Sequence, residues 1–171
     1  PIYIPFISTF FNKFLANMPF FWKLSLIEII IARPRGYRKP PEEVTCSVIV
    51  PCRNEKGNIE QAVLKIPDMG EKTEIIFVEG HSQDGTLEEC ERVKNKYPQR
   101  DIKVLIQDGK GKGDAVRKGF SHAINDVLMI LDADLTVPPE DLPKFFNALV
   151  SGKGEFINGS RLVYQMEKEA M

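Results

Sequence analysis

Two aspartates one residue apart, Asp132 and Asp134, follow directly on the apolar run Val127-Leu128-Met129-Ile130-Leu131. A hard divalent cation such as Mg2+ or Mn2+ prefers oxygen ligands and commonly shares them with substrate phosphates, so paired carboxylates at this spacing suit one. If the extended backbone continued through them, alternate positions would point both carboxylates the same way. A calcium loop of the EF-hand kind is excluded, because the glycine it needs at its sixth position is Val137 here. The other reading is a helix-entry loop with solvated acids, and this stretch alone leaves both open.

The elements that must position these acids follow from the pattern around them. The run Val127 to Leu131 fits a strand buried on both faces of a parallel sheet. Pro138-Pro139 then ends the extended segment, and Glu140 and Asp141 open a helix to Val150. From Val44 onward, strand and helix signals alternate. Val44 to Val50 reads as a strand, Pro51 to Gly57 as a turn, and Asn58 as the cap of a helix to about Ile66. Glu74 to Val78 is a second strand, followed by the polar loop Glu79 to Thr86 and a helix to about Tyr97. Ile102 to Ile106 is a third, followed by the glycine-bearing loop Gln107 to Gly113 and a helix to about Ile124. A strand near Glu155 to Asn158 completes the series. Repeated strand-helix-strand units imply a mostly parallel α/β sheet flanked by helices, with the loops at 51–57, 79–86, 107–113 and 132–136 along one rim. Ligands of open α/β sheets bind at that rim.

Gly109-Lys110-Gly111-Lys112-Gly113-Asp114 has the look of a phosphate loop but fails both standard patterns. No Gly-Lys-Ser/Thr follows the spacer, and Val116 stands where a dinucleotide fingerprint needs its third glycine. What remains is a basic loop entering a helix N-terminus, which attracts an anion or is simply a solvated turn. Arg161, past the last expected strand, is of a type that clamps a phosphate bidentately, and also of a type common on surfaces.

Composition narrows the classes. At 171 residues, 43% hydrophobic content and a net charge of −1, the chain has material for one ordinary domain with a core. The near-neutral charge gives no support to nucleic-acid binding, although Lys110, Lys112, Arg117 and Lys118 form a local basic cluster. Cys46, Cys52 and Cys90 are odd in number and lack zinc spacing, which points to a reduced, cytoplasmic setting rather than a disulfide framework. His81 and His122 are too few and too separated to suggest a histidine metal site.

Residues 1–33 are rich in Phe, Ile and Leu, but Lys13, Lys23 and Glu28 interrupt them before any uncharged run nears the ~20 residues needed to span a bilayer. Neither the basic start nor the cleavage site of a signal peptide is present. Two readings stand: an interfacial segment, or the tail of a preceding domain. The strand-like run from Leu26 to Ala32 favours the second. Residues 34–43, rich in proline and charge, read as a linker, leaving 44–171 as the main domain.

Taken together, four ordered motifs resemble the family-2 glycosyltransferases. They are Ser47-Val48-Ile49-Val50-Pro51-Cys52-Arg53-Asn54-Glu55, Val78-Glu79-Gly80-His81-Ser82-Gln83-Asp84-Gly85-Thr86, Gly111-Lys112-Gly113-Asp114-Ala115 and Asp132-Ala133-Asp134. Within that family the pattern is most similar to the dolichyl- or polyprenyl-phosphate sugar synthases, over about residues 44–166. The resemblance implies a GT-A, Rossmann-like fold, truncated at its C-terminus here, and sugar transfer from a GDP- or UDP-linked donor assisted by Mg2+ or Mn2+. It implies that Pro51, Arg53, Asn54, Glu55 and Glu79 line the nucleoside pocket. Lys112, Asp132, Ala133 and Asp134 would meet the rest of the donor, with Asp132 and Asp134 holding the metal, and Asp134 and Arg161 would act in catalysis. A polyprenyl-phosphate acceptor and a place at the cytoplasmic membrane face are implied as well.

Three features depart from the family pattern. Glu79-Gly80 replaces a frequent pair of aspartates, Thr136 stands where lipid-phosphate synthases carry glutamine, and the chain stops at Met171, before the family's acceptor-side segment. For that reason the 171 residues are expected to bind donor but transfer poorly. The residues before the linker resemble, more loosely, the end of a methyltransferase-like domain. The rival functions are a non-catalytic nucleotide-binding module and a transferase with a soluble or polysaccharide acceptor.

Overall fold

Apolar runs separated by helix-forming segments of ten or so residues have the crossover that parallel pairing needs, since each strand must return across the sheet before the next begins. The computed structural model, which describes residues 39–159, has this arrangement. In chain order its elements are β1 (Thr45–Cys52), α1 (Lys56–Lys65), β2 (Lys72–Glu79), α2 (Thr86–Lys96), β3 (Asp101–Ile106), α3 (Lys112–His122), β4 (Val127–Ile130) and α4 (Leu142–Val150). Short 3-10 turns, Pro41–Glu43 and Pro139–Asp141, precede β1 and α4. The strands lie in the order β3-β2-β1-β4, and every pair is parallel. The register runs from Thr45 opposite Lys72 to Cys52 opposite Glu79, so β1 and β2 end level with each other at one rim.

Alternation along β1 divides its side chains between two faces. Val48 and Val50 join Ile59 and Val63 of α1, Phe77 of β2, Cys90 and Val93 of α2, and Leu142 and Phe146 of α4 in the larger apolar cluster. Ile49 joins Ile76, Val78 and Ala115 in the smaller one, under α3. The helix comes close here because Gly119 has no side chain: a Cβ at that position would stand 2.5 Å from Cγ2 of Ile49. Each fully buried Ile, Val or Phe contributes about 1.5–3 kcal/mol, so the central strands anchor the sheet.

Away from the rim, a polar row ties the strands together. Ser47 Oγ donates to buried Glu74 (2.7 Å), Lys103 of β3 pairs with the same carboxylate, and Asn125 Nδ2 donates to both Ser47 Oγ and the Cys46 carbonyl (3.0 Å each). Asp126, just before β4, accepts from Thr45 N (3.0 Å), Thr45 Oγ1 (2.9 Å) and Lys39 Nζ (2.9 Å), fixing the start of β1.

Several expectations change. The strand expected over Val127 to Leu131 ends at Ile130, and it is not buried on both faces: Leu128 is 42% and Ile130 46% exposed. An apolar run cannot reveal that, among the described residues, its strand lies at the edge of the sheet with β1 beside it. No strand forms near Glu155 to Asn158, where the backbone runs through bends and Phe156 is 84% exposed. That segment follows the turn at Ser151 to Lys153 and pairs with no strand among the described residues. The first helix begins at Lys56, before Asn58, because Glu55 is its N-cap residue and Asn58 lies in the first turn with Nδ2 donating to Glu55 Oε2 (2.7 Å). The strand suggested for Leu26 to Ala32, the linker up to residue 38 and Arg161 lie outside the described residues.

Candidate functional site

Four loops leave the rim, and side chains reaching for backbone groups hold them in place. After β1, Asn54 adopts a left-handed backbone (φ +56°), its N–H donates to Ser82 Oγ (2.9 Å), and its Oδ1 accepts from Gln83 N (3.0 Å). Glu55 N donates to Thr86 Oγ1 (2.9 Å) and Lys56 N to Asp84 Oδ2 (3.2 Å). Asp84 also accepts from Thr86 N (3.0 Å) and Thr86 Oγ1 (2.5 Å). The Thr86 hydroxyl above all, with the backbone donors, holds the Asp84 carboxyl below its ordinary range. The loops after β1 and β2 are thus sewn into one surface, and Asp84 satisfies donors in the first turns of both α1 and α2.

Glu79, at the end of β2, is buried, and its carboxylate accepts from His81 N (3.1 Å) and Ser82 N (2.5 Å). That wraps the loop around the carboxylate and sets His81 in the left-handed region (φ +57°). Gly80 fits closely beside it, since a Cβ there would lie 3.1 Å from Gln107 Oε1 and 3.2 Å from Arg53 Cβ. The loop after β3 is organised from within. Gln107 N donates to Glu79 O (2.9 Å), Gln107 Nε2 to Gly109 O (2.8 Å), and Gly109 N to Asp114 Oδ2 (2.8 Å).

Past β4, Leu131 N extends the ladder to Ile49 O (2.9 Å), and the chain then turns: Leu135 N donates to Asp132 O (3.1 Å) with Leu135 at φ +54°. The two aspartates therefore stand on a turn rather than on continuing strand, which corrects the expectation that strand alternation aligns them. Asp134 Oδ1 accepts from Thr136 N (3.0 Å) and Thr136 Oγ1 (3.1 Å). Asp132 receives Lys112 Nζ from the first turn of α3, so the basic loop and the acidic turn meet across the rim. Ala133, between the acids, is buried.

The non-glycine residues with positive φ among those described are Asn54, His81 and Leu135, all in rim loops. Such backbone costs of order 1–3 kcal/mol per residue and persists only where surroundings over-determine it, which is commonest at ligand sites. The structure therefore gathers Pro51, Arg53, Asn54, Glu55, Glu79, Lys112, Asp132, Ala133 and Asp134 on one edge of the sheet. It unites Lys112 with Asp132, but commits Asn54 Oδ1, Glu55 Oε2 and both carboxylate oxygens of Glu79 to loop architecture. Arg53 is exposed on the same edge. The basic cluster is partly self-neutralised, with Lys118 on Asp108 (2.5 Å) and Arg117 near Asp114 (3.7 Å). Sequence reasoning missed Ser82, Asp84, Thr86, Gln107 and Asp114 as loop builders. The Asp84-Gly85-Thr86 spacing ahead of a helix was the one available signal.

Among the described residues no group of three or more His, Cys, Asp or Glu side chains converges to hold a metal, and none of the helices is long and apolar enough to cross a membrane. The three cysteines are buried free thiols. The acidic turn nevertheless suits a divalent cation that takes its remaining ligands from a diphosphate and water, since its donors are hard carboxylates and one of them already holds an ammonium.

A sequence model of glycosyl transferase family 2 matches residues 47–171. The chain is 38% identical over 109 residues to a dolichol-phosphate mannosyltransferase of Saccharomyces cerevisiae, covering 60% of this chain and 40% of the relative. It is 39% identical over 119 residues to a dolichol-phosphate mannosyltransferase of Pyrococcus furiosus, covering 68% and 33%. The fold is similar to that of a mannosyltransferase from Pyrobaculum calidifontis solved with GDP-Man and Mn2+. That match has a TM-score of 0.54 and 27% identity, covering 84% of this chain and 42% of the other. The chain thus spans a third to two fifths of the length of these curated relatives.

Proposed function

The chain belongs to glycosyl transferase family 2, and from that premise we propose that its rim binds a nucleoside-diphosphate sugar and that the protein transfers the sugar to a polyprenyl phosphate. The observation that carries this reading is the Asp132-Ala133-Asp134 turn facing Lys112 at the C-terminal edge of a parallel sheet. Supporting it are the similarity to two dolichol-phosphate mannosyltransferases and to a mannosyltransferase that binds GDP-Man with Mn2+.

Breaking the anomeric carbon–oxygen bond leaves negative charge on the departing diphosphate. A site that opposes that charge where it develops lowers the barrier, commonly by several kcal/mol. Asp132 and Asp134 would hold Mg2+ or Mn2+, whose chemistry is to neutralise the diphosphate oxygens. Lys112, in the first turn of α3, adds a cation and donor on the same side, and the N-terminus of that helix favours anions. Arg53, exposed just past β1, and Pro51 near the end of that strand would meet the nucleoside end of the donor. In this reading Arg161 would add a second cation at the diphosphate, and Asp134 would act through the metal it holds. Because the acceptor is itself an oxyanion at neutral pH, a strong general base is not needed.

A polyprenyl-phosphate acceptor requires the rim to work at a membrane surface, with the nucleotide supplied from the cytoplasm. The test is transfer by the full-length protein from GDP-mannose and from UDP sugars to polyprenyl phosphate and to the free polyprenol. Sugar should reach the phosphate and not the alcohol, because a site built around an anionic oxygen discriminates strongly against an analogue lacking it. Equal transfer to both, or extension of a soluble glycan instead, would refute the acceptor.

A further inference from the structure

Asp132 is already partnered within the chain. Its Oδ1 accepts from Lys112 Nζ, which reaches it from a different loop, while the neighbouring Asp134 is engaged with Thr136. The pair is open to water, with side-chain exposures of 60% for Lys112 and 41% for Asp132. Its backbone is held from within: Gln107 and Asp114 fix the loop ahead of Lys112, and Gly119 seats α3 against Ile49. Lys112 can therefore change partner by side-chain rotation alone, on a long and flexible stem.

A divalent cation and an ammonium held at contact distance on one carboxylate repel each other, so the two compete for Asp132. We propose that Lys112 is the resident counter-ion of Asp132. It is displaced when the divalent cation arrives with the donor, and its freed ammonium then turns to the diphosphate. This exchange rests on the donor-site reading above. It gives the rim a near-neutral resting state in which a lone cation competes with a tethered one. Metal and nucleotide then bind best together, because the diphosphate offers the displaced ammonium a new partner.

The exchange predicts effects of opposite sign from one substitution. An exposed ion pair is worth about 0–1 kcal/mol, so removing the competitor in Lys112→Met should tighten binding of Mn2+ alone by about two- to fivefold. Losing a charge-assisted contact to the diphosphate should weaken GDP binding in saturating Mn2+ by about tenfold or more. Lys112→Arg, which keeps the charge, should restore competition and leave Mn2+ affinity near wild type.

The measurements are titration of Mn2+ followed by electron paramagnetic resonance of the free ion, and calorimetric titration of GDP. Both use wild type, Lys112→Met, Lys112→Arg and Asp132→Asn, each first checked for native circular dichroism. If Asp132→Asn abolishes Mn2+ binding but Lys112→Met leaves it unchanged or weaker, the exchange is overturned while the metal site stands. If Asp132→Asn binds Mn2+ as wild type does, or no variant binds Mn2+ at all, the metal-site reading fails and the exchange with it.

Discussion

Thr86 bears more of the site than its type suggests. It is buried, its hydroxyl donates to Asp84, and the same oxygen accepts the Glu55 N–H from the other loop. Thr86→Val keeps the shape but leaves the Glu55 N–H without its acceptor and removes one of three donors to Asp84, and a lost buried partner costs about 1–3 kcal/mol. Urea denaturation should show a loss of that size, with the denaturant slope unchanged. The Asp84-Gly85-Thr86 spacing signalled the nearer of its two partners, whereas the one thirty-one positions away depends on two loops meeting. Asp132 and Asp134 were legible as residues but not as geometry. Their spacing suggested alternation along a strand, whereas the left-handed backbone of Leu135 folds them onto a turn.

At the scale of elements, α1 and α2 are joined by charge as well as by the apolar core. Glu60 of α1 accepts from Lys96 Nζ (2.6 Å), Tyr97 OH (2.7 Å) and Arg92 (2.6 Å). These donors, Lys96 foremost, hold its carboxyl at about 2, below the ordinary 4.5. A carboxyl depressed by folding stabilises the fold fully above its unfolded value, and that contribution disappears as pH falls towards the folded value. Wild type should therefore lose its melting-temperature advantage over Glu60→Gln progressively between pH of about 4.5 and about 2, while the gap stays constant above. A gap that does not change with pH would mean the pairing is absent in solution. Asp126, also held at about 2, foremost by Lys39, adds a parallel slope to both proteins and cancels from the comparison.

The same scale shows what the sequence could reveal. β1, β2 and β3 were readable from their apolar runs, and the helices from their flanking turns, because local pattern and final environment agree there. The strand expected at Glu155 to Asn158 was not borne out, and β4 was read as doubly buried when it is the edge strand among the described residues. In each case the outcome depends on which strand lies alongside, which no local window contains.

For the whole molecule, parallel pairing is the consequential feature. It brings loops from residues 51 to 136 to one edge and sets a basic helix start against an acidic turn in a chain whose net charge is only −1. Membership of glycosyl transferase family 2 agrees with a rim of that kind. The central claim is that the rim binds a sugar nucleotide through a metal at Asp132. Thermal denaturation with GDP-mannose or a UDP sugar, in Mn2+ or in chelator, on wild type and Asp132→Asn tests it most directly. A ligand that binds only the folded state adds about 2.7 kcal/mol at a hundred times its dissociation constant. For a chain of this size that is a rise of about 5–10 °C. The account predicts this rise for at least one donor with wild type in Mn2+, and its loss both in chelator and in Asp132→Asn. A rise of the same size in chelator, or in Asp132→Asn with Mn2+, would contradict it.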